Sequence, residues 1–172
     1  MNRRILEVCA IPALAALFFF VVAPCASAQE ANPGASIDIF GGRVESIESS
    51  DGHSNSYGVR GGYRFGRVWA LEGSGEHLNE GFTNWFVDLS AKAYFVHANR
   101  FEIYGLVGPG VLRVSAFGQS SDQAMVHAGL GAQIGLGDRV YLRPEVRGRW
   151  STDDVKFNDG LVSYSLGLGW RF

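Results

Sequence analysis

Thiols are scarce in this sequence. It has two cysteines, Cys9 and Cys25, and both lie within the first 28 residues. If those residues are removed on export, the remaining chain has no thiol, so a disulfide framework and a cysteine-based metal site are both excluded. Lipidation of Cys25 is the alternative, but Pro24 stands where a small Gly or Ala is expected.

The N-terminus has the features of a secretory signal peptide. Arg3 and Arg4 precede an apolar stretch over residues 11–22, and the small residues 26–28 predict cleavage before Gln29. A retained membrane anchor is the alternative. We disfavour it because an apolar core of about a dozen residues is shorter than the ~20 needed to span a bilayer.

Long apolar runs and blocks of positive charge are also missing from residues 29–172. No run there is long enough for a transmembrane helix. These residues carry 13 basic and 16 acidic side chains, and the absence of a basic block indicates no nucleic-acid partner. A chain of this kind that enters a membrane must do so as a closed barrel, because its backbone polar groups must all be satisfied internally.

Glycine, aromatic residues and strict alternation are abundant instead. The chain has 23 Gly and 13% aromatic residues, which favours short strands over packed helices. From residue 36 onward, apolar residues recur with a period of two that breaks at polar, Gly-rich turns. Eight strands are predicted, at about residues 36–44, 57–65, 68–77, 85–95, 101–112, 124–136, 140–150 and 162–172. The register between residues 106 and 111 stays open, and Pro109 is a candidate for a β-bulge.

The last two predicted strands indicate which face meets lipid. Both place apolar residues on one face, and the opposite face of strand 140–150 carries Tyr141, Arg143, Glu145, Arg147 and Arg149. A charged face of this kind suits a hydrated, ion-paired lumen, with the apolar face turned to lipid. We therefore predict an all-β fold, an eight-stranded antiparallel transmembrane β-barrel. A soluble lipocalin-like barrel is the alternative, but it requires an apolar interior.

The same alternation predicts a charge network inside the barrel. Seven basic and six acidic side chains are expected to point inward: Arg60, Arg64, Lys92, Arg143, Arg147, Arg149 and Arg171, with Asp38, Glu72, Glu76, Asp88, Glu102 and Glu145. The near-balance indicates mutual pairing, because an unpaired charge in a narrow interior is costly. An eight-stranded barrel is only wide enough for its side chains to fill it. A structural plug is favoured over a pore, and a narrow conductance is the alternative.

The chain resembles a known family at this point. Its Gly/aromatic strands, the run Pro144-Glu145-Val146-Arg147 and the ending 166–172 look like those of small outer-membrane β-barrels of the OmpA and OmpX type. The resemblance covers residues 35–172, after a signal peptide at 1–28 and a short periplasmic segment at 29–34. It implies a bacterial outer-membrane location. It also implies recognition by the barrel-assembly machinery through a C-terminal signal formed by Tyr164, Leu166, Leu168, Trp170 and Phe172.

The connections alternate in length, which predicts the orientation. Three are tight, at 66–67, 97–100 and 137–138, and are expected to face the periplasm. Four are longer and polar, at 45–56, 78–84, 114–123 and 151–159. These outer loops carry eight acidic residues and Lys156 as the single basic one. Near the same rim, Arg43 and Arg113 are expected to reach lipopolysaccharide phosphates.

The predicted role is structural or at the surface, in envelope integrity or adhesion. A narrow channel is the first alternative and a lipid A-modifying enzyme the second, with His53, Ser54, Ser56 and Asp51 as the nearest local Ser/His candidate. We identify no catalytic residue, cofactor or metal site. The expected partners are outer-membrane lipid, lipopolysaccharide and the assembly machinery, with no nucleic acid, and the surface ligand stays unassigned.

Overall fold

A computed structural model describes residues 33–47, 53–79, 83–116, 119–152 and 160–172. They form eight strands: β1 (Gly34–Ser46), β2 (His53–Arg64), β3 (Trp69–Asn79), β4 (Thr83–Ala98), β5 (Phe101–Ala116), β6 (Gln119–Gly135), β7 (Val140–Ser151) and β8 (Leu161–Arg171). Each strand pairs antiparallel with its neighbours in sequence, and β1 pairs with β8 to close the barrel. The predicted fold is confirmed. The expected signal peptide and its cleavage site lie outside the described residues.

No helix in the described part of the chain has the length and hydropathy needed to cross a membrane.

The alternation of side chains gives the barrel two contrasting surfaces. Successive residues of a strand point to opposite faces, and the outward positions carry large apolar residues such as Ile39, Leu89, Leu130 and Leu166, which are all more than half exposed. The inward positions are dominated by buried polar and charged groups. This is the reverse of a water-soluble barrel, and it is the arrangement that a surrounding bilayer stabilises.

Three short turns occupy one end of the barrel, and the two longest connections, at residues 47–52 and 152–160, occupy the other. The three short turns lie between β2 and β3, β4 and β5, and β6 and β7. The start of β1 and the end of β8 meet at the same end, where the Phe172 backbone N–H donates to the carbonyl of Ala35 at 2.9 Å. We call this the short-turn end and the opposite one the loop end.

The register of β5 differs from one expectation. Pro109 forms no bulge: Gly110 pairs with Asp88 and Val107 with Ala91, so the register is the same on both sides of the proline. A proline removes a hydrogen-bond donor without adding a residue, so it need not shift the pairing. The irregularity lies in β4 instead, where the register shifts between Tyr94 and Val96.

The strands also run further at the loop end than the sequence pattern predicts. The expected loop at 114–123 is mostly ladder, since Ala116 still pairs with Gln119 and Arg113 pairs with Asp122. Residues 120–124 are exposed. A strand that rises above the bilayer meets water on both faces, so its hydrophobic alternation disappears although the backbone pairing continues.

Candidate functional site in the barrel interior

The middle of the interior is built around one arginine. Arg143 is 0% exposed and donates to Glu72 through both terminal nitrogens, at 2.6 and 2.7 Å. It also donates to Asp38 and to Glu145, each at 2.6 Å. A guanidinium carries its donors in a fixed planar fork, so one side chain holds three carboxylates together. We call these four residues the central arginine cluster.

Two further cations complete the charge balance of the central arginine cluster. Lys92 donates to Glu72 at 3.1 Å, and a terminal nitrogen of Arg60 lies 3.5 Å from a carboxylate oxygen of Asp38. Arg60 also donates to the hydroxyl of Ser165 at 2.7 Å. All the charged groups involved are buried, so each depends on its partners to offset its lost hydration.

Tyr104 belongs to this centre, although sequence reasoning did not identify it. Its hydroxyl donates to Glu145 at 2.6 Å and accepts from Nε of Arg143 at 2.6 Å. Its ring lies 4.0 Å from Nζ of Lys92, which adds a cation–π contact. Glu102 is predicted to point inward, so Tyr104, two residues later on the same strand, should point inward as well. This alternation is the sequence signal that could have identified it.

A second node lies nearer the loop end. Asp88 accepts from Arg147 at 2.6 Å and from Arg149 at 2.9 Å. Arg149 also contacts Glu76, and Arg147 donates to Glu145 at 2.9 Å. Because Glu145 touches both nodes, the two form one continuous network along β7.

A third node lies at the short-turn end, where the predicted inward residues are less buried. Glu102 accepts from Arg64 at 2.9 and 3.1 Å and from Arg171 at 2.9 Å. Arg171 is 42% exposed at its side chain and also donates to Gln133 at 2.6 Å. The structure therefore places all thirteen residues of the predicted network inside the barrel, distributed over three nodes.

An apolar layer covers the network at the loop end, and it was not predicted. Val44, Leu78, Phe86 and Met125 are buried together inside the barrel, with Leu112 and Leu161 packed against them. The guanidinium of Arg149 lies 4.2 Å from the centre of the Phe86 ring, which joins this layer to the charges beneath it. We call Val44, Leu78, Phe86 and Met125 the outer apolar layer. Parity was the available signal, since Phe86 stands two residues before inward-facing Asp88.

A serine, a histidine and an aspartate also meet in the interior. Ser90 Oγ lies 2.8 Å from Nε2 of His127, and Nδ1 of His127 lies 3.7 Å from Asp88. The order resembles a hydrolytic triad, but geometry alone does not make a catalyst. Ser90 is 0% and His127 1% exposed, and Asp88 is engaged by two arginines. In this structure the three residues are a buried polar contact that substrate cannot reach.

The local Ser/His candidate at the start of β2 is separated by the strand itself. His53 is exposed, whereas Ser54 and Ser56 are buried on the inward face. Alternate side chains of a strand point to opposite faces, so His53 and Ser54 diverge. Asp51 lies outside the described residues.

The two rim arginines are exposed and already paired. Arg43 donates to Glu45 at 2.9 Å, and Arg113 makes two bonds to Asp122, at 2.7 and 2.8 Å. β5 and β6 have 16 and 17 residues, more than the roughly 9–11 that cross a bilayer, so the Arg113–Asp122 pair stands beyond the membrane-spanning part. The hydrogen bond lowers the pKa of Asp122 and raises the pKa of Arg113.

The remaining predicted groups fall on the outer surface of the barrel or outside the described part. The predicted C-terminal signal lies on the outward face of β8 and at the residue that follows it, and all five of its residues are exposed: Tyr164, Leu166, Leu168, Trp170 and Phe172. Of the eight loop acids, Glu45 and Asp122 are described. Within the described ranges, no group of three or more His, Cys, Asp or Glu side chains is placed to hold a metal ion.

Comparison with known proteins identifies the family. The family described as outer membrane protein beta-barrel domain matches residues 13–172. The chain belongs to this family. Its members lie in the outer membrane, and in such barrels the short turns face the periplasm. We therefore call the short-turn end the periplasmic end and the loop end the outer end. No curated protein sequence matches the chain.

Solved structures show the same fold at low sequence identity. The N-terminal barrel of Pseudomonas aeruginosa OprF has a TM-score of 0.68 at 17% identity, covering 84% of this chain and 100% of that one. Ail, the attachment invasion locus protein of Yersinia pestis, has a TM-score of 0.55 at 21% identity, covering 85% and 100%. It has also been solved with the heparin analogue sucrose octasulfate. The outer membrane enzyme PagL has a TM-score of 0.53 at 14% identity, covering 78% and 97%. These likenesses establish the fold.

Proposed function

We propose that this barrel is closed to ions and acts through its outer surface, as a structural protein of the bacterial envelope. One observation carries the proposal: the middle of the interior is filled by an interlocked charge network, which is covered at the outer end by the outer apolar layer. Opening a path would break several buried ion pairs at once, and separating a buried pair leaves uncompensated charges. This argues against the alternative of a narrow channel.

Charge distinguishes the proposed role from adhesion to polyanions. Ail has been solved with a heparin analogue, whereas the predicted outer loops of this chain carry eight acidic residues and one basic residue. An acidic surface repels sulfated glycans and favours divalent cations or a basic partner. Lipopolysaccharide is held together by divalent cations between its phosphates, so envelope integrity fits this surface better than adhesion to heparin-like chains.

Lipopolysaccharide contact is assigned to Arg43 and Arg113. Both are exposed at the outer rim, at 50% and 60% of the side chain. Each is held by a neighbouring carboxylate, which fixes the guanidinium and leaves its remaining donors for a phosphate oxygen. We further propose that residues 1–28 are cleaved on export and that the exposed C-terminal strand is recognised during assembly.

An enzymatic role is not proposed, although PagL shares the fold. Fold similarity at 14% identity carries no activity. The interior Ser90–His127 pair is buried, and the residues around His53 point to opposite faces of β2. Mass spectrometry of lipid A from cells with and without the protein tests this point. A difference between the two lipid A samples would indicate a modifying activity and contradict the proposed role.

The test of the proposed role removes the protein and restores it with variants. Loss of the protein should raise the entry of a large, normally excluded antibiotic, and wild-type protein should restore the barrier.

A second experiment tests the assigned lipopolysaccharide contact. The amount of lipopolysaccharide that co-purifies with the protein should be lower for the Arg43→Ala/Arg113→Ala variant than for the wild type. It should not fall in Arg100→Ala, which removes an arginine at the opposite end. Unchanged co-purification in the double variant would overturn the assigned contact, and an unchanged barrier would overturn the envelope role.

A further inference from the structure

The periplasmic end contains a cavity that the charge network does not fill. Its volume is about 650 Å³, which is within the range of small-molecule sites. The cavity exists because inward positions at this level are small: Ser36 pairs with Gly62 across β1 and β2, and Ala70 and Gly135 line the same space. Larger side chains fill the corresponding positions deeper in the barrel.

Positive charge predominates around this periplasmic cavity. Six basic side chains line it: Arg64, Arg67, Lys92, Arg100, Arg139 and Arg171. Three acidic side chains line it as well: Glu72, Glu102 and Asp138. The distribution follows from the turns, because each of the three periplasmic turns contributes one arginine, at positions 67, 100 and 139. The predicted outer loops have the opposite sign.

The acidic groups of the cavity leave part of this positive charge unbalanced. Glu102 is shared between Arg64 and Arg171, so one carboxylate faces two guanidinium groups. Glu72 is held by Lys92 and Arg143. Nη1 of Arg67 is buried and donates to no group of the described chain. A donor without an acceptor is uncommon in proteins, and it identifies Arg67 as a cavity arginine with a nitrogen that no carboxylate of the described chain engages.

We propose that the periplasmic cavity binds a phosphate-bearing anion, with Arg67, Arg139 and Arg171 supplying the donors. A phosphate group offers several acceptor oxygens and negative charge, which match the fork of an arginine. The cavity is lined by residues of all three periplasmic turns and by Gly34 and Phe172, so it lies at the periplasmic end of the barrel, and we infer that it is reached from the periplasm or the inner leaflet. The phosphate can therefore belong to a soluble periplasmic compound or to a phospholipid headgroup, and the experiment separates these sources. This inference is independent of the envelope role.

In the first experiment, full-length protein in zwitterionic micelles is titrated with inorganic pyrophosphate, and binding is measured by calorimetry. Wild-type protein should bind saturably at one site, more weakly as salt is raised. The variant Arg67→Gln/Arg139→Gln should lose about tenfold in affinity, since each change removes a charged donor. Lys156→Gln removes a positive charge from a predicted outer loop, at the other end, and should bind as wild type. Heat-modifiable migration on gels verifies that each variant is folded.

A second measurement does not depend on any variant. Backbone amide resonances of Gly66 and Gly137, in the turns that carry Arg67 and Arg139, should shift as pyrophosphate is added, while that of Gly73, in the middle of β3, should not. Absence of saturable binding, equal loss in Arg67→Gln/Arg139→Gln and in Lys156→Gln, or unshifted resonances of Gly66 and Gly137 would each overturn the proposal.

Measurements in lipid nanodiscs then distinguish the two possible sources of the phosphate, a phospholipid headgroup and a soluble anion. If phosphatidylglycerol nanodiscs weaken pyrophosphate binding relative to phosphatidylcholine nanodiscs, the headgroup occupies the periplasmic cavity. If the two kinds of nanodisc give equal pyrophosphate affinity, the ligand is a soluble anion. Both results support a phosphate site, and loss of pyrophosphate binding in both kinds of nanodisc would contradict it.

Discussion

The two ends of the barrel interior are built on opposite principles. At the outer end, Phe86 and its apolar neighbours are packed together and cover the charges beneath them. At the periplasmic end, small residues leave a cavity of about 650 Å³ lined by five arginines and a lysine. The same alternation of side chains produces both ends. The difference arises from side-chain size and charge at the inward positions, which change from level to level along the axis.

This difference separates stability from accessibility. Groups in the central arginine cluster are buried on all sides, so removing one partner leaves the charges of the others buried and uncompensated. Groups at the periplasmic end can be solvated when a partner is lost, and their ion pairs should contribute less. We therefore expect the same chemical change to have unequal effects at the two levels.

The largest difference is expected between two arginines. Arg143→Met leaves Asp38, Glu72 and Glu145 buried beside an apolar side chain, and should lower the free energy of unfolding by about 3–5 kcal/mol. Arg171→Met leaves Glu102 paired with Arg64 and should cost under about 1 kcal/mol. Urea unfolding of protein refolded into lipid vesicles measures both. Equal losses would contradict the distinction between the two levels.

The outer apolar layer gives the next largest effect. Leu78→Ala removes buried contacts with the layer and should lower the free energy of unfolding by about 2–3 kcal/mol. Leu89→Ala is the matched control, because Leu89 faces lipid and is 55% exposed, so lipid can fill the space and the loss should be less than half as large. The same vesicle assay applies, and a larger loss in the control would show that Leu78 is not packed as described.

A glycine tests how closely Tyr104 is fitted into the network. A Cβ at Gly131 would overlap the Tyr104 ring, whereas a Cβ at Gly73 would meet nothing within 4 Å. Gly131→Ala should displace the tyrosine from Glu145 and cost about 1–3 kcal/mol. Gly73→Ala should be neutral or slightly stabilising, because it restricts the unfolded chain. Thermal unfolding of both variants in the same micelles measures the difference. If both substitutions were neutral, Tyr104 would not pack against Gly131 as described.

The smallest effect is expected at the exposed Arg113–Asp122 pair. The hydrogen bond lowers the pKa of Asp122 in the folded state, so its small contribution is present above the unfolded pKa and is lost as pH falls through the folded value. Arg113→Gln should return the pKa of Asp122 toward the ordinary value for aspartate. Carboxyl resonances followed against pH measure the shift, and an identical titration in the variant would mean that the pair does not form in solution.

Much of this fold could be predicted from alternation alone. Charged residues at inward positions of β7 identify the lumen because a strand with Arg143, Glu145, Arg147 and Arg149 on one face cannot turn that face to lipid. The signal weakens where inward residues are apolar. Phe86 and Met125 have the composition of lipid-facing residues, so only strict counting from Asp88 and His127 places them inside.

The identity of the partners could not be read from the sequence. Arg143 reaches Asp38 on β1, Glu72 on β3 and Tyr104 on β5, and these pairings depend on how far neighbouring strands are staggered around the barrel. The register shift between Tyr94 and Val96 and the continuation of the β5–β6 hairpin past Arg113 could not be predicted either. Both depend on backbone pairing with neighbouring strands, which the hydrophobic pattern does not report.

The central claim is that the interior is closed from the outer apolar layer through the central arginine cluster. Single-channel recording in planar bilayers tests it most directly, using wild-type protein whose heat-modifiable migration shows that it is folded and a known porin that verifies insertion under the same conditions. The account predicts no long-lived open level for the wild-type protein. Frequent, long-lived conductance steps from the folded wild-type protein would contradict it, because ions would then pass where the structure places buried pairs and an apolar cover.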